Sequence, residues 1–283
     1  MKIAVASGKG GTGKTTVASS LFSVWPELAA AMDLDVEEPN LHIFLGPDPR
    51  RLRTVWLEVP ELDEERCTYC GLCSELCQFK AISIFDGVGM TFPEMCHGCG
   101  GCFEICPADA LKVKRREIGS IHGNQRFLMG RLRVGEAMSP PLIRAVRREA
   151  EQIFDPGMDI IMDAPPGVSC PAAAAVRDTD FILLVAEPTP FGCHDLKLAH
   201  QAFRPFGIPM GVAVNRAGIG DDSIYSYCSG TGLEIMAEIP FDRAAAEAYS
   251  SGQIVARFSE KMRSLFRVLA DSIRRKVLQR QEG

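Results

Sequence analysis

The chain has 283 residues, 46% of them apolar and 24% charged, with a formal net charge of −5. That balance supports a globular core of ordinary size and weighs against nucleic acid as a partner. No apolar run approaches the roughly 18–20 residues a bilayer span needs, and residues 1–6 lack a secretory pattern; a cytoplasmic protein without membrane contact or disulfides is expected, its regularly spaced cysteines reading as metal ligands.

In chain order, residues 3–6 predict a short apolar strand, residues 15–25 a helix ended by Pro26, and residues 29–33 a second buried strand ending in Asp33-Leu-Asp35. Glu58, Glu61, Asp63, Glu64 and Glu65 form an acidic approach to a cysteine-rich stretch at about 60–116, which the basic run Lys112, Lys114, Arg115 and Arg116 closes. An offset of 29 residues superimposes its two halves, each followed by a short strand, at 82–85 and 111–113. Beyond about 117, strands are predicted at 159–163, 181–186, 210–215 and 234–239, and helices near 140–153, 171–178, 193–205, 243–249 and 257–280. Strands alternating with helices imply an α/β fold with a mostly parallel sheet. The expected organisation is a discontinuous domain, residues 1–58 and 118–283, with residues 59–117 inserted into it.

Gly8-x4-Gly13-Lys14-Thr15, after a strand and before a helix, is a phosphate-binding loop. Its glycines let backbone N–H groups face the phosphates, and the helix N-terminus adds partial positive charge. Gly8, Gly10, Gly11, Thr12, Gly13, Lys14, Thr15 and Thr16 form the expected nucleotide-contacting set, with Lys14 on the β- and γ-phosphates and Thr15 on Mg²⁺.

Eight cysteines fall into two copies of one motif. The first is Cys67-x2-Cys70-x2-Cys73-x3-Cys77; the second is Cys96-x2-Cys99-x2-Cys102-x3-Cys106, followed by Pro107 where the first copy has Gln78. Two isolated C-x2-C pairs would suit zinc, but a third and fourth cysteine at these spacings match the bacterial two-cluster ferredoxin run. In that run the fourth cysteine serves the other cluster. The likeness implies an inserted α+β ferredoxin-like domain with two [4Fe-4S] clusters, one on Cys67, Cys70, Cys73 and Cys106, the other on Cys96, Cys99, Cys102 and Cys77. Cys193 and Cys228 default to buried thiols and Cys170 to a buried thiol or a transient ligand, and His97 to a surface residue or hydrogen-bond donor.

Lys9, early in the phosphate loop, resembles the second lysine of the deviant Walker A in the MinD/Mrp/nitrogenase-iron-protein superfamily. The resemblance implies that Lys9 acts in trans and that ATP closes a dimer, with itself or with a paralogue. Asp33-Leu-Asp35 resembles switch I, making Asp35 the candidate for activating water, with Asp33 holding the switch or the Mg²⁺ shell. Asp163-Ala-Pro-Pro-Gly167 resembles Walker B and switch II, with Asp163 reaching Mg²⁺ and Gly167 sensing the γ-phosphate. Asn215-Arg216 resembles the adenine-reading segment. Two segments, Glu187-Pro-Thr-Pro-Phe-Gly192 and Ile239-Pro-Phe-Asp242, resemble parts of the family site without an assigned role. The function implied is an Mg²⁺-dependent ATPase, using ATP and ADP, that couples dimerisation to electron transfer through the clusters toward an unidentified redox or iron–sulfur partner. The alternative is an Mrp-like cluster-assembly or complex-positioning ATPase whose clusters are structural or sensory.

Overall fold

The computed structural model describes residues 1–46 and 49–282, side chains at 281 and 282 excepted. The chain divides into two compact units: Met1–Leu52 with Ile121–Arg131 and Ile143–Gly283, and Arg53–Ser120 with Leu132–Leu142.

In chain order the elements are β1 (Lys2–Ala6), α1 (Lys14–Val24), β2 (Ala29–Asp33), α2 (Leu41–Leu45), β3 (Arg50–Leu62), α3 (Leu72–Leu76), β4 (Ile82–Phe85), β5 (Val88–Thr91), α4 (Gly101–Ile105), β6 (Leu111–Asn124) and β7 (Phe127–Leu132). They continue as α5 (Ser139–Ile153), β8 (Asp159–Asp163), α6 (Cys170–Val176), β9 (Phe181–Ala186), α7 (Pro190–Phe203), β10 (Met210–Ala217), α8 (Ser223–Thr231), β11 (Glu234–Pro240), α9 (Arg243–Ser250), α10 (Val255–Phe258) and α11 (Glu260–Glu282).

Seven strands of the first unit pair in parallel in the order β11-β10-β9-β1-β8-β2-β7, and the sheet continues through β6 and β3. Apolar runs such as Phe181–Ala186, buried at every position, make its centre. The order reverses around β1, so the carboxyl ends of β1, β2 and β8 open a crevice where ligands of such sheets bind. The apolar face of α11 (Met262, Phe266, Leu269, Ile273, Val277) is inside this core, so packing accounts for its amphipathic pattern. Among the described residues, no helix is long and apolar enough to cross a membrane.

Three features depart from the sequence expectation. The acidic approach is in part a strand: Val55, Leu57 and Val59 of β3 are buried while Trp56 and Glu58 between them are exposed. The strand expected at 111–113 runs on to Asn124, where the Asn124 side chain accepts from the backbone N–H groups of Arg126 and Phe127 and turns the chain into β7. Helix α8 was not expected at all.

In the second unit α3 and α4 stand 29 residues apart, as the cysteines do, and β4 and β5 form an antiparallel hairpin. One of its buried clusters is Cys73, Ile82 and Leu111, with Leu62, Ile84, Phe103, Cys77, Cys102 and Cys106 packed against them; Val55, Val59 and Ile118 of the same unit are buried as well.

Candidate functional site

Strand β1 delivers the phosphate loop and α1 leaves it. Gly13 adopts φ 91°, and a Cβ there would lie 2.4 Å from the Asn215 Nδ2. A Cβ on Gly8 would lie 2.1 Å from the Asp195 carbonyl oxygen of α7. Both positions therefore exclude a side chain. The loop is tied to its surroundings by polar bonds: the Asn215 Nδ2 donates to the Thr12 carbonyl (2.8 Å), and the Gly167 N–H donates to the Ser7 carbonyl (2.9 Å).

Buried acids lie beneath the loop. The Thr15 hydroxyl donates to Asp163 Oδ2 at 2.5 Å, while the buried Asp163 Oδ1 has no hydrogen-bond partner. Burial pushes the Asp163 carboxyl up to about 7; the Thr15 hydroxyl and Lys14 pull against that shift and Asp35 adds to it. Burial and then the neighbouring Asp163 also hold Asp33 well above the usual carboxylate range. The Asp33 carboxylate accepts from the backbone N–H groups of Asp35 (3.1 Å), Asn40 (2.9 Å) and Leu41 (2.9 Å), so it organises the loop that carries Asp35. Asp35 is pushed up to about 6, chiefly by burial, with Lys14 opposing.

A cavity of about 410 Å³ opens over these groups, a volume suited to a nucleotide. Gly10, Gly11, Gly13, Lys14, Thr15, Thr16, Asp35, Asn215 and Arg216 line it. Gly8, Lys9, Thr12, Asp163 and Gly167 do not. Lys9 instead points its ammonium at Asp195, Nζ to Oδ2 3.6 Å. Asn215 accepts from the Arg216 N–H (3.0 Å) and, with its bond to Thr12, keeps one N–H and one lone pair for a ligand. Arg216, in a left-handed conformation, pairs with Glu187 at 2.8 Å.

The cysteine unit repeats its backbone as well as its residues. Left-handed conformations recur at the 29-residue offset: Tyr69 and Gly98, Gly71 and Gly100, Lys80 and Asp109. Hydrogen bonds to sulfur recur with them. Tyr69 N–H donates to Cys67 Sγ and Gly98 N–H to Cys96 Sγ; Ala81 N–H donates to Cys77 Sγ and Ala110 N–H to Cys106 Sγ, all at 3.3–3.4 Å. Cys67, Cys70, Cys73 and Cys106 line one cavity. Cys96, Cys99, Cys102 and Cys77 line another, whose wall Cys73 also touches. Among the described residues, no three His, Cys, Asp or Glu side chains converge closely enough to hold a single metal ion. Burial pushes the Cys102 thiol up to about 11 and raises Cys73 and Cys96 as well. His97 stacks on Phe79, ring centroids 3.4 Å apart, at the wall of the second cavity. Cys193 and Cys228 are buried as expected; Cys170 is exposed, because it opens α6 rather than packing beneath it.

Comparison with known proteins matches residues 3–255 to the CobQ/CobB/MinD/ParA nucleotide-binding domain. The chain belongs to this nucleotide-binding family. Relatives include the uncharacterized proteins MJ0578 and MJ0579 of Methanocaldococcus jannaschii. MJ0578 is 31% identical over 96% of this chain and 98% of its own length; MJ0579 is 30% identical over 92% and 93%. The fold is similar to MinD of Pyrococcus horikoshii, solved with Mg-ADP (TM-score 0.58, 19% identity, 96% of this chain and 95% of that chain). It is also similar to the cell division ATPase MinD of Pyrococcus furiosus (TM-score 0.59, 20% identity, 97% and 98%).

The nucleotide cavity has further walls that no motif in the sequence marks. Phe241 and Asp242, from the segment given no role, line it; Asp242 caps α9 by accepting from Ala244 and Ala245 N–H. Tyr249 of α9 also lines it and stacks on Phe44 of α2, ring centroids 4.7 Å apart. Nothing local in the sequence marks Tyr249, since its role depends on α9 folding back over the loop.

Proposed function

We propose that this chain is an ATP-hydrolysing iron–sulfur protein in which nucleotide-driven dimerisation is coupled to electron transfer through two [4Fe-4S] clusters. The observation that carries the proposal is the sorting of the eight thiols. Each three-cysteine loop lines a cavity together with the fourth cysteine of the other repeat, the sharing that a two-cluster ferredoxin run uses. N–H···S bonds recur at the first and last cysteine of each motif. When bound, the clusters would supply one-electron chemistry.

At the nucleotide cavity the loop N–H groups and Lys14 bind phosphate. Thr15 and Asp163 fit Mg²⁺: the Asp163 oxygen without a partner and its burial-raised pKa are what an adjacent cation would satisfy. Asp35, with its pKa near 6, orients the attacking water and accepts its proton. The Gly167 N–H is engaged by Ser7 and would exchange that bond for the γ-phosphate, giving the segment two positions. Lys9 would leave Asp195 to reach the nucleotide of a second subunit, either another copy or a paralogue. Asn215 and Arg216 flank the base.

Anaerobic reconstitution tests this reading. Iron and sulfide equivalent to two four-iron clusters are expected. Cys67→Ser and Cys106→Ser should perturb the same EPR signal, and Cys96→Ser and Cys77→Ser the other. Zinc uptake, or a single signal lost with any cysteine, would sink it. Cys70 and Cys99 are exposed, one in each set, which favours cluster delivery as the second reading; transfer to an apo-acceptor protein would distinguish it.

A further inference from the structure

The two thiol sets receive the same number of N–H···S bonds, at the matching cysteines of each repeat. By that measure their clusters would be equivalent. What breaks the repeat is a charge. Behind the second loop, Arg116 of β6 has a side chain only 9% exposed and Glu136 one only 1% exposed. Arg116 Nη1 is bonded to Glu136 Oε2, and Arg116 Nη2 reaches the Cys96 carbonyl at 3.5 Å. The buried Arg116 Nε has no partner. Glu136 is fixed in turn, because its other oxygen accepts from the N–H groups of Ala137 (3.0 Å) and Met138 (2.9 Å). Arg133, half exposed, adds a second cation at 3.8 Å from the same carboxylate. The position 29 residues before Arg116 is Gly87, so the first loop has no counterpart. The ions beside the first set, Arg66 with Asp109 and Lys112 with Asp63, have solvent-exposed cationic heads and are screened.

We propose that Arg116, anchored by Glu136, is a positioning residue that sets the second cluster, on Cys96, Cys99, Cys102 and Cys77, at the higher potential of the two. Reduction adds negative charge to a cluster, and a desolvated guanidinium at its ligand loop stabilises the reduced form. With both clusters bound, the first electron from a one-electron donor would rest on the second, the one beside the Phe79–His97 pair. The inference presumes the cluster assignment above, so iron and sulfide content is measured before any potential.

The experiment is an anaerobic redox titration of the holoprotein, read by EPR. Wild type should show two waves, and Cys99→Ser should remove the higher one. Arg116→Gln should move only the higher wave, to lower potential, while Arg116→Lys retains most of it. Glu136→Gln should move the same wave the other way, since it leaves the cations uncompensated. A loop merely loosened by mutation would not respond with opposite signs. If a single change destabilises the loop, the double variant Arg116→Gln/Glu136→Gln removes both charges at near-constant shape and should still lower the wave. Two clusters present with unchanged potentials in every variant, or both waves moving together, would overturn this inference alone. Absence of clusters in wild type would overturn the cluster assignment with it.

Discussion

The nucleotide unit gathers its site from positions far apart in the chain, Thr12 and Asn215 being 203 residues apart, while the cysteine unit draws both thiol sets from between Cys67 and Cys106. The stabilising forces differ in the same way. The nucleotide site sits on a parallel sheet with an extended apolar core running from Ile3 to Val277. One apolar cluster of the cysteine unit includes several of the candidate ligands. A metal group bound there would staple that cluster. The sheet can therefore hold buried, mutually repelling carboxyls, whereas the proposed clusters would add to the stability of the cysteine unit.

The largest test of that contrast is selective loss of each ligand. Lys14→Ala should weaken nucleotide binding by roughly a hundredfold, measured by calorimetry, and leave the iron content unchanged. Conversely, chelating the iron should abolish amide protection across residues 67–111 in hydrogen exchange while β1, β8 and β9 stay protected; equal loss in both regions would break the comparison.

A smaller effect is expected at Asp35. Asp35→Ala should keep ATP binding but slow hydrolysis by about 10²–10⁴. In wild type the rate should rise with pH through about 6, because the deprotonated carboxylate is the active form. A flat profile in that range would remove Asp35 from the role.

Asp163 makes the strain in the nucleotide unit measurable as pH-dependent stability. Its carboxyl is raised from 3.8 unfolded to about 7 folded. Between these values the native state binds more protons than the unfolded one, so this group's contribution to stability falls as pH rises. Nucleotide-free wild type should lose stability relative to Asp163→Asn across that window in thermal unfolding, and Mg²⁺ with nucleotide should restore it. The mildest change is Asp242→Ala, which removes the α9 cap and should cost about 1 kcal/mol, read as a lowered unfolding midpoint of the nucleotide unit only.

Legibility followed the same division. The phosphate loop and the cysteine repeat were readable because their chemistry depends on local spacing, and the parallel sheet because its central strands are apolar throughout. Strand β3 and the continuation of β6 beyond residue 113 were not, since Arg, Lys and Glu at their exposed positions read as charge runs. Helix α8 buries only Ile224 and Cys228 among serines and tyrosines, so its periodic hydrophobic signal is weak. Pairings such as Lys9 with Asp195, Arg116 with Glu136 and Tyr249 with Phe44 join distant positions, so only the fold brings them together.

Coupling between the two ligands is the central claim, and one measurement addresses it most directly: EPR of the reduced holoprotein with MgADP and with a non-hydrolysable MgATP analogue. A nucleotide-dependent change in potential or line shape is the predicted result. Clusters that reduce normally, with spectra and potentials identical in both nucleotides under conditions where the analogue is bound, would contradict it.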